Sequence, residues 1–302
     1  MNLAFATYDV FTARRFGGNP LAIVMEADRL STEQMQSIAR EFNLSETIFV
    51  MAPESPVNTA KVRIFLPQVE IPFAGHPTVG CAIHLAARKY KAGCSFETEV
   101  RLEEKAGVVP VKVSRIGDVP HAMFTAPVTP FALARAVPEQ ADIAAALSLA
   151  PEKIGFEGHA PGLHQGGPSF LFIPVSGGDA LASVCVSEPH WSRLMEKSGV
   201  LGAYVYARGG EQEKTAFRGR MFAPGSGIPE DPATGAATAL LASQLLACGE
   251  WADGTHRLWL EQGYEMGRPS QLRLEFDVKG QALVSVRVAG QAVQVMEGTI
   301  EL

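Results

Sequence analysis

Apolar and polar side chains alternate over residues 3–10, a period of two that predicts a half-buried strand. A glycine-rich turn at 16–20 breaks it, and residues 21–25 read as the antiparallel return. The period then lengthens. Ser31 and Gln34 form a capping box ahead of Met35, Ile38, Ala39 and Phe42, whose spacing predicts a helix to about Phe42 that delivers the chain to Glu46. Strands are expected at 46–50 and 61–66. Pro77 then suits a first helical position with His76 as its N-cap, and Val79, Ala82, Ile83, Leu85 and Ala86 continue a helix apolar enough to be enclosed by strands. Residues 97–102, 107–113 and 122–125 read as strands and 127–158 as a helical region with loops. Asp231 is the expected N-cap of a second apolar helix over 236–246, with Pro232 at its first position. Alternating strands follow at 256–261, 271–276, 283–288 and 292–296.

One pattern is written twice. Arg63-Ile64-Phe65-Leu66-Pro67, Ile71-Pro72 and His76-Pro77-Thr78-Val79-Gly80 are echoed by Arg220-Met221-Phe222-Ala223-Pro224, Ile228-Pro229 and Asp231-Pro232-Ala233-Thr234-Gly235. The arginines are 157 residues apart (63 and 220) and the His76/Asp231 pair 155 (76 and 231), which implies a two-residue indel and two similar halves facing each other. Glu46 has only Gly202 as its counterpart. The chain is expected to cross from its first domain to its second near residue 116.

A length of 302 residues suits two ordinary cores. With 26 basic against 32 acidic residues, a net charge of −6 and no basic run, nucleic acid is not an expected partner. No apolar stretch is long enough to span a bilayer and the first ten residues lack a signal-peptide pattern, so a soluble, cytoplasmic protein is expected. Cys81, Cys94, Cys185 and Cys248 lie far apart without Cys-x-x-Cys, and read as buried free thiols, not as a zinc site. No Walker loop, dinucleotide fingerprint, nucleophile elbow or His-Glu-x-x-His is present.

A helix start carries about half a positive charge and N–H groups without intrahelical partners, so the two apolar helices offer sites for a carboxylate or developing oxyanion, at the amides of Gly235 and Ala236 in particular. Burial disfavours the charged form of a carboxyl, and a glutamate enclosed between two lobes suits an isomerisation base. Glu46 is the candidate, with His76 and Asp231 as further proton carriers or substrate-orienting groups. From spacing alone, Asp231 is equally explained as a cap, worth about 0.5 to 2 kcal/mol, His76 as a polar turn residue and Glu46 as a solvated strand start. Arg63 and Arg220 read as structural pairs, and His164, beside Gly166-Gly167, is a loop candidate for the cleft.

Asp9-Val10-Phe11-Thr12, Phe16-Gly17-Gly18-Asn19-Pro20-Leu21-Ala22, Asn43-Leu44-Ser45-Glu46-Thr47, Gly75-His76-Pro77-Thr78 and Glu230-Asp231-Pro232-Ala233-Thr234-Gly235 together resemble the PhzF family, phenazine biosynthesis-like isomerases of the diaminopimelate epimerase superfamily. The resemblance implies an α+β fold of two pseudo-symmetric domains, 1–115 with the C-terminal strand 290–302 returning to it and 116–289, each a curved sheet around a central helix, with the active site in the cleft between them. It also implies a homodimer and cofactor-free, metal-free proton transfer on a small anionic metabolite. Glu46 stands in the position of the family's general acid/base and His76 and Asp231 match its other polar active-site residues, so Glu46, His76 and Asp231 are the expected catalytic residues and Gly75, Gly235 and Ala236 the expected substrate-binding ones. The family's namesake isomerises trans-2,3-dihydro-3-hydroxyanthranilate. Ala236 replaces the serine of the phenazine enzymes, which removes a hydroxyl and leaves the backbone N–H. Two other readings are an amino-acid epimerase or racemase, whose facing cysteines this chain lacks, and a noncatalytic small-molecule-binding protein of the same fold.

Overall fold

The opening alternation becomes β1 (Asn2–Val10), whose inner residues Ala6, Tyr8 and Val10 are buried, and β2 (Asn19–Val24) returns antiparallel to it. In the computed structural model, which describes residues 2–91, 93–249 and 251–302, the chain groups into two units. Unit 1 comprises Met1–Pro127, Gly267–Gln271 and Val288–Leu302; unit 2 comprises Val128–Met266 and Leu272–Arg287.

In unit 1, α1 (Thr32–Phe42) starts at Ser31 with the expected capping box and ends at Asn43, whose left-handed backbone turns the chain into β3 (Glu46–Met51). β3 lies parallel to β2 and antiparallel to β4 (Ala60–Phe65), which pairs with the short β5 (Glu70–Ile71). After α2 (Gly75–Ala87), the strands β6 (Phe96–Glu104), β7 (Gly107–Arg115) and β8 (His121–Thr125) complete the set, β6 running parallel to the start of β4. α2 packs against β1, β2, β3, β6, β7 and β8. Eleven of its 13 residues are buried, so it has no solvent face and needs strands on every side.

In unit 2, β9 (Phe131–Ala132), α3 (Gln140–Ala146), β10 (Gly162–Gln165), β11 (Ser169–Pro174), α4 (Gly178–Ala182), α5 (His190–Ser198), β12 (Gly202–Arg208), β13 (Thr215–Ala223) and β14 (Ile228–Asp231) lead to α6 (Gly235–Cys248). β11 and β12 are parallel, as β2 and β3 are, and β13 runs parallel to β15 (Gly254–Gln262), as β4 does to β6. α3, α4 and α5 bury Ile143, Leu181, Trp191 and Leu194 in one apolar cluster with Leu171, Ile173 and Val205 of the sheet. The chain ends with β16 (Ser270–Lys279) and β17 (Ala282–Glu301), whose final residues pair antiparallel with β1.

The duplication extends to side-chain anchors. Glu103 accepts hydrogen bonds from the amides of Glu54 and Ser55 and from Asn58, while Glu261 accepts them from the amides of Glu211 and Gln212 and from Thr215. The spacing is 157 residues for these donors and 158 for the glutamates. Arg63 grips Glu70 through two nitrogens, and Arg220 grips Glu230 in the same way, as the structural reading of both arginines expects. The glutamates of these pairs are 160 apart, and so are the helix starts Gly75 and Gly235. The insertion is therefore three residues, taken up by a single turn of 3-10 helix at Pro224–Ser226, not two.

Four expectations need correction. Ala74 and Thr234, not His76 and Asp231, are the N-caps; His76 is the second residue of α2 and Asp231 closes β14. By ladder position Asp231 corresponds to Ile71, and His76 corresponds to Ala236. The two strands expected at 283–288 and 292–296 are one, because Gly290 is no break: a Cβ there would lie 2.4 Å from the Phe11 ring, and glycine lets the strand run through. Of the four thiols only Cys81 is buried; Cys94 and Cys185 are exposed and Cys248 is half-buried.

Candidate active site

In unit 1 the Asn43 turn and the parallel pairing of Glu46 with Leu21 fix where Glu46 opens β3. It is 9% exposed. His76, 3% exposed, sits in the first turn of α2 with its Nδ1 3.3 Å from Glu46 Oε2, so the structure brings these two candidates together. Burial pushes the His76 pKa down to about 3, opposed only in part by the carbonyl of Pro20. The imidazole is therefore neutral at physiological pH and meets the carboxyl as a dipole. Its Nε2 is buried without a hydrogen-bond partner.

The loop before β2 is tied down by Arg268, a residue outside every motif quoted above. Arg268 donates to the carbonyl oxygens of Gly17 and Gly18 at 2.7 Å and pairs with Asp9, whose other oxygen takes the Phe16 amide at 2.6 Å. The Gly18 amide in turn donates to the Pro269 carbonyl. This clamp sets the path into Asn19 and Pro20, whose carbonyl reaches His76. Asp9 sits on a strand of buried neighbours, and that was the available signal.

In unit 2 a second group forms at the start of α6. Asp231 Oδ2 accepts from the Thr234 hydroxyl at 2.5 Å. Gln262, fully buried on β15, donates to the Asp231 carbonyl at 2.7 Å and to Thr234 Oγ1 at 3.1 Å, and accepts from the Thr234 amide at 3.1 Å. Thr234 is spent on Asp231 and Gln262, and the helix has no side-chain cap. The amides of Gly235 and Ala236 thus open α6 with the partial positive charge of a helix start, and Gly75 and His76 open α2, likewise without a side-chain cap. Asp231, at the end of β14, thus stands just ahead of Gly235 and Ala236 at the start of α6.

His164 does not belong with either group. It is 1% exposed on β10, its Nε2–H donating to Gln244 Oε1 at 2.7 Å and its Nδ1 accepting from Ser243 at 2.8 Å. Gln244 donates through Nε2 to the Ala160 carbonyl and to Tyr206, which fixes Oε1 as the acceptor. His164 is a satisfied interior group of unit 2.

Residues 8–298 match the family model described as phenazine biosynthesis-like protein. An uncharacterized isomerase of Mesorhizobium japonicum is 43% identical, with 98% of each chain covered. The trans-2,3-dihydro-3-hydroxyanthranilate isomerase of Pseudomonas chlororaphis is 32% identical, with 99% of each covered. The crystal structure of a PhzF-family phenazine biosynthesis protein of Bacillus anthracis superposes with a TM-score of 0.86 at 25% identity over the whole of both chains. A match along nearly the full length, on a strand-wrapped central helix present twice, establishes that this chain is an isomerase of the PhzF family with the diaminopimelate epimerase-like fold.

Proposed function

We propose that the chain isomerises a small carboxylate-bearing metabolite by moving a proton between carbons without a cofactor, Glu46 taking the proton and returning it. The observation that carries this reading is the Glu46–His76 pair: a carboxyl 9% exposed, 3.3 Å from an imidazole that burial keeps neutral. A neutral ring next to the base holds its carboxyl in place without stabilising the ionised form as a cation would. His76 is a positioning partner or a relay in the same transfer. The amides of Gly235 and Ala236 bind the substrate's anionic group, and Asp231, held by Thr234 and Gln262, orients its hydroxyl or amino substituents.

The Pseudomonas chlororaphis relative isomerises trans-2,3-dihydro-3-hydroxyanthranilate, and a substrate of that kind, a ring carboxylate with an adjacent amine, fits the same donors and acceptors. Ala236 leaves an amide but no hydroxyl at its position. Incubation with candidate ring carboxylates in D₂O, followed by mass spectrometry, is expected to place deuterium on carbon. Glu46→Gln is expected to slow that uptake by at least about 10²-fold; uptake at the parent rate in this variant would refute the assignment.

A further inference from the structure

Glu104, the last residue of β6, is 7% exposed, and its Oε2 is buried without a hydrogen-bond partner. Its Oε1 lies 2.7 Å from the Thr78 hydroxyl, which is also 2.7 Å from the Ala74 carbonyl oxygen at the start of α2. A hydroxyl has one proton to give. Given to Ala74, which can only accept, it leaves Glu104 to be the donor; given to Glu104, it leaves two oxygens in contact with no hydrogen between them. A protonated carboxyl makes both contacts hydrogen bonds.

The duplicate half supports the same conclusion. β6 and β15 hold matching places beside β4 and β13, which makes Gln262 the counterpart of Glu104. Gln262 is a neutral amide with the shape of a protonated glutamate, and it too ties down the start of a central helix. Charged neighbours offer Glu104 no compensation. It lines a cavity of about 450 Å³ with Glu54, Lys61, Arg63, Glu70, Glu103 and Lys105. There Lys61 pairs with Glu54, and both Arg63 and Lys105 pair with Glu70. Glu103 is occupied by backbone amides. On the helix side stands the Cys81 thiol, which burial and Glu104 push up. Burial accordingly pushes Glu104 up to about 8.

We infer that Glu104 is a carboxylic acid, not a carboxylate, and that it pins the opening turn of α2 as a positioning residue for His76. The catalytic part of this inference rests on the proton-transfer reading above, whereas its structural part does not. The folded form keeps a proton that the unfolded chain surrenders between the ordinary carboxyl range and about 8. Measured by urea denaturation, the parent's folding constant is therefore expected to fall by up to about tenfold per pH unit across that window relative to Glu104→Gln. Parallel pH profiles for the two proteins would overturn the inference. Infrared spectroscopy of the parent protein decides the same point whether or not the variant folds. A protonated-carboxyl stretch at neutral pH that vanishes as pH passes about 8 supports it, and no such stretch overturns it. In the deuterium-uptake assay the parent's kcat is expected to decline as pH passes about 8 with KM unchanged, and Glu104→Gln to lose that decline; a decline that persists in the variant removes the positioning role. Absence of any uptake by the parent would count against the proton-transfer reading, while the denaturation and infrared results would still judge Glu104.

Discussion

Asp9 and Arg268 show how single side chains set the path of a loop. Asp9 is nearly fully buried, and the Arg268 guanidinium is shared between its carboxylate and two backbone carbonyls. Arg268→Met is expected to leave Asp9 without its cation and to cost roughly 2 to 4 kcal/mol, below the fully buried case because Arg268 keeps some exposure to water. The shift of the urea midpoint measures it. Glu46, His76 and the Asp231 cluster were legible because they stand in short contiguous strings with punctuating glycines and prolines. Thr78–Glu104 and Thr234–Gln262 were not. Their partners are 26 and 28 residues apart and meet only once a parallel strand pairing fixes the register. A lone glutamate at a strand end gives no local sign that it is neutral.

Among the elements, the two central helices divide the same duties between different residues. In unit 1 Tyr8 on β1 meets His84 on α2 at 3.2 Å; in unit 2 His164 on β10 meets Gln244 on α6. The positions match, since Tyr8 faces Leu21 and His164 faces Phe170 in the neighbouring strand, while 84 and 244 keep the 160-residue spacing of the helices. Gly162 leaves room for the second of these pairs. A Cβ there would stand 2.3 Å from Gln244 Oε1 and 2.7 Å from His164 Nε2. Gly162→Ala is expected to destabilise the protein by about 1 to 3 kcal/mol through overpacking, read from chemical denaturation. The capping box, the strand alternation and both apolar helices were readable from period and propensity. The helix starts were misplaced because Pro77 and Pro232 each suit a first helical position; the chain instead uses Pro77 in the third and leaves Pro232 before the helix.

For the whole molecule, buried histidines and one buried acid shape the response to pH. Burial lowers His76 to about 3 and His84 to about 4 from an ordinary 6.5. Each stays neutral in the folded protein while the unfolded chain gains a proton, so their contribution is complete above 6.5 and is lost as pH falls below it. Glu104, raised to about 8, acts in the opposite sense: stability declines from the ordinary carboxyl range upward until about 8. Between the carboxyl range and 6.5 these histidines, with the buried His164 lowered in the same sense, outweigh the acid, and from 6.5 to about 8 the acid sets the slope. Stability is therefore expected to peak near 6.5, and His84→Gln, which copies Gln244, to flatten the acid side by about 1.4 kcal/mol per pH unit. Urea denaturation across the range tests both.

β17 completes unit 1 with the last residues of the chain, Asn2 opposite Glu301 and Val10 opposite Ala292. The strand that covers the outer edge of β1 is thus made almost three hundred residues after it. Until residues 292–301 leave the ribosome, that edge presents unpaired N–H and C=O groups along its whole length, the kind of surface on which a second nascent chain adds in error.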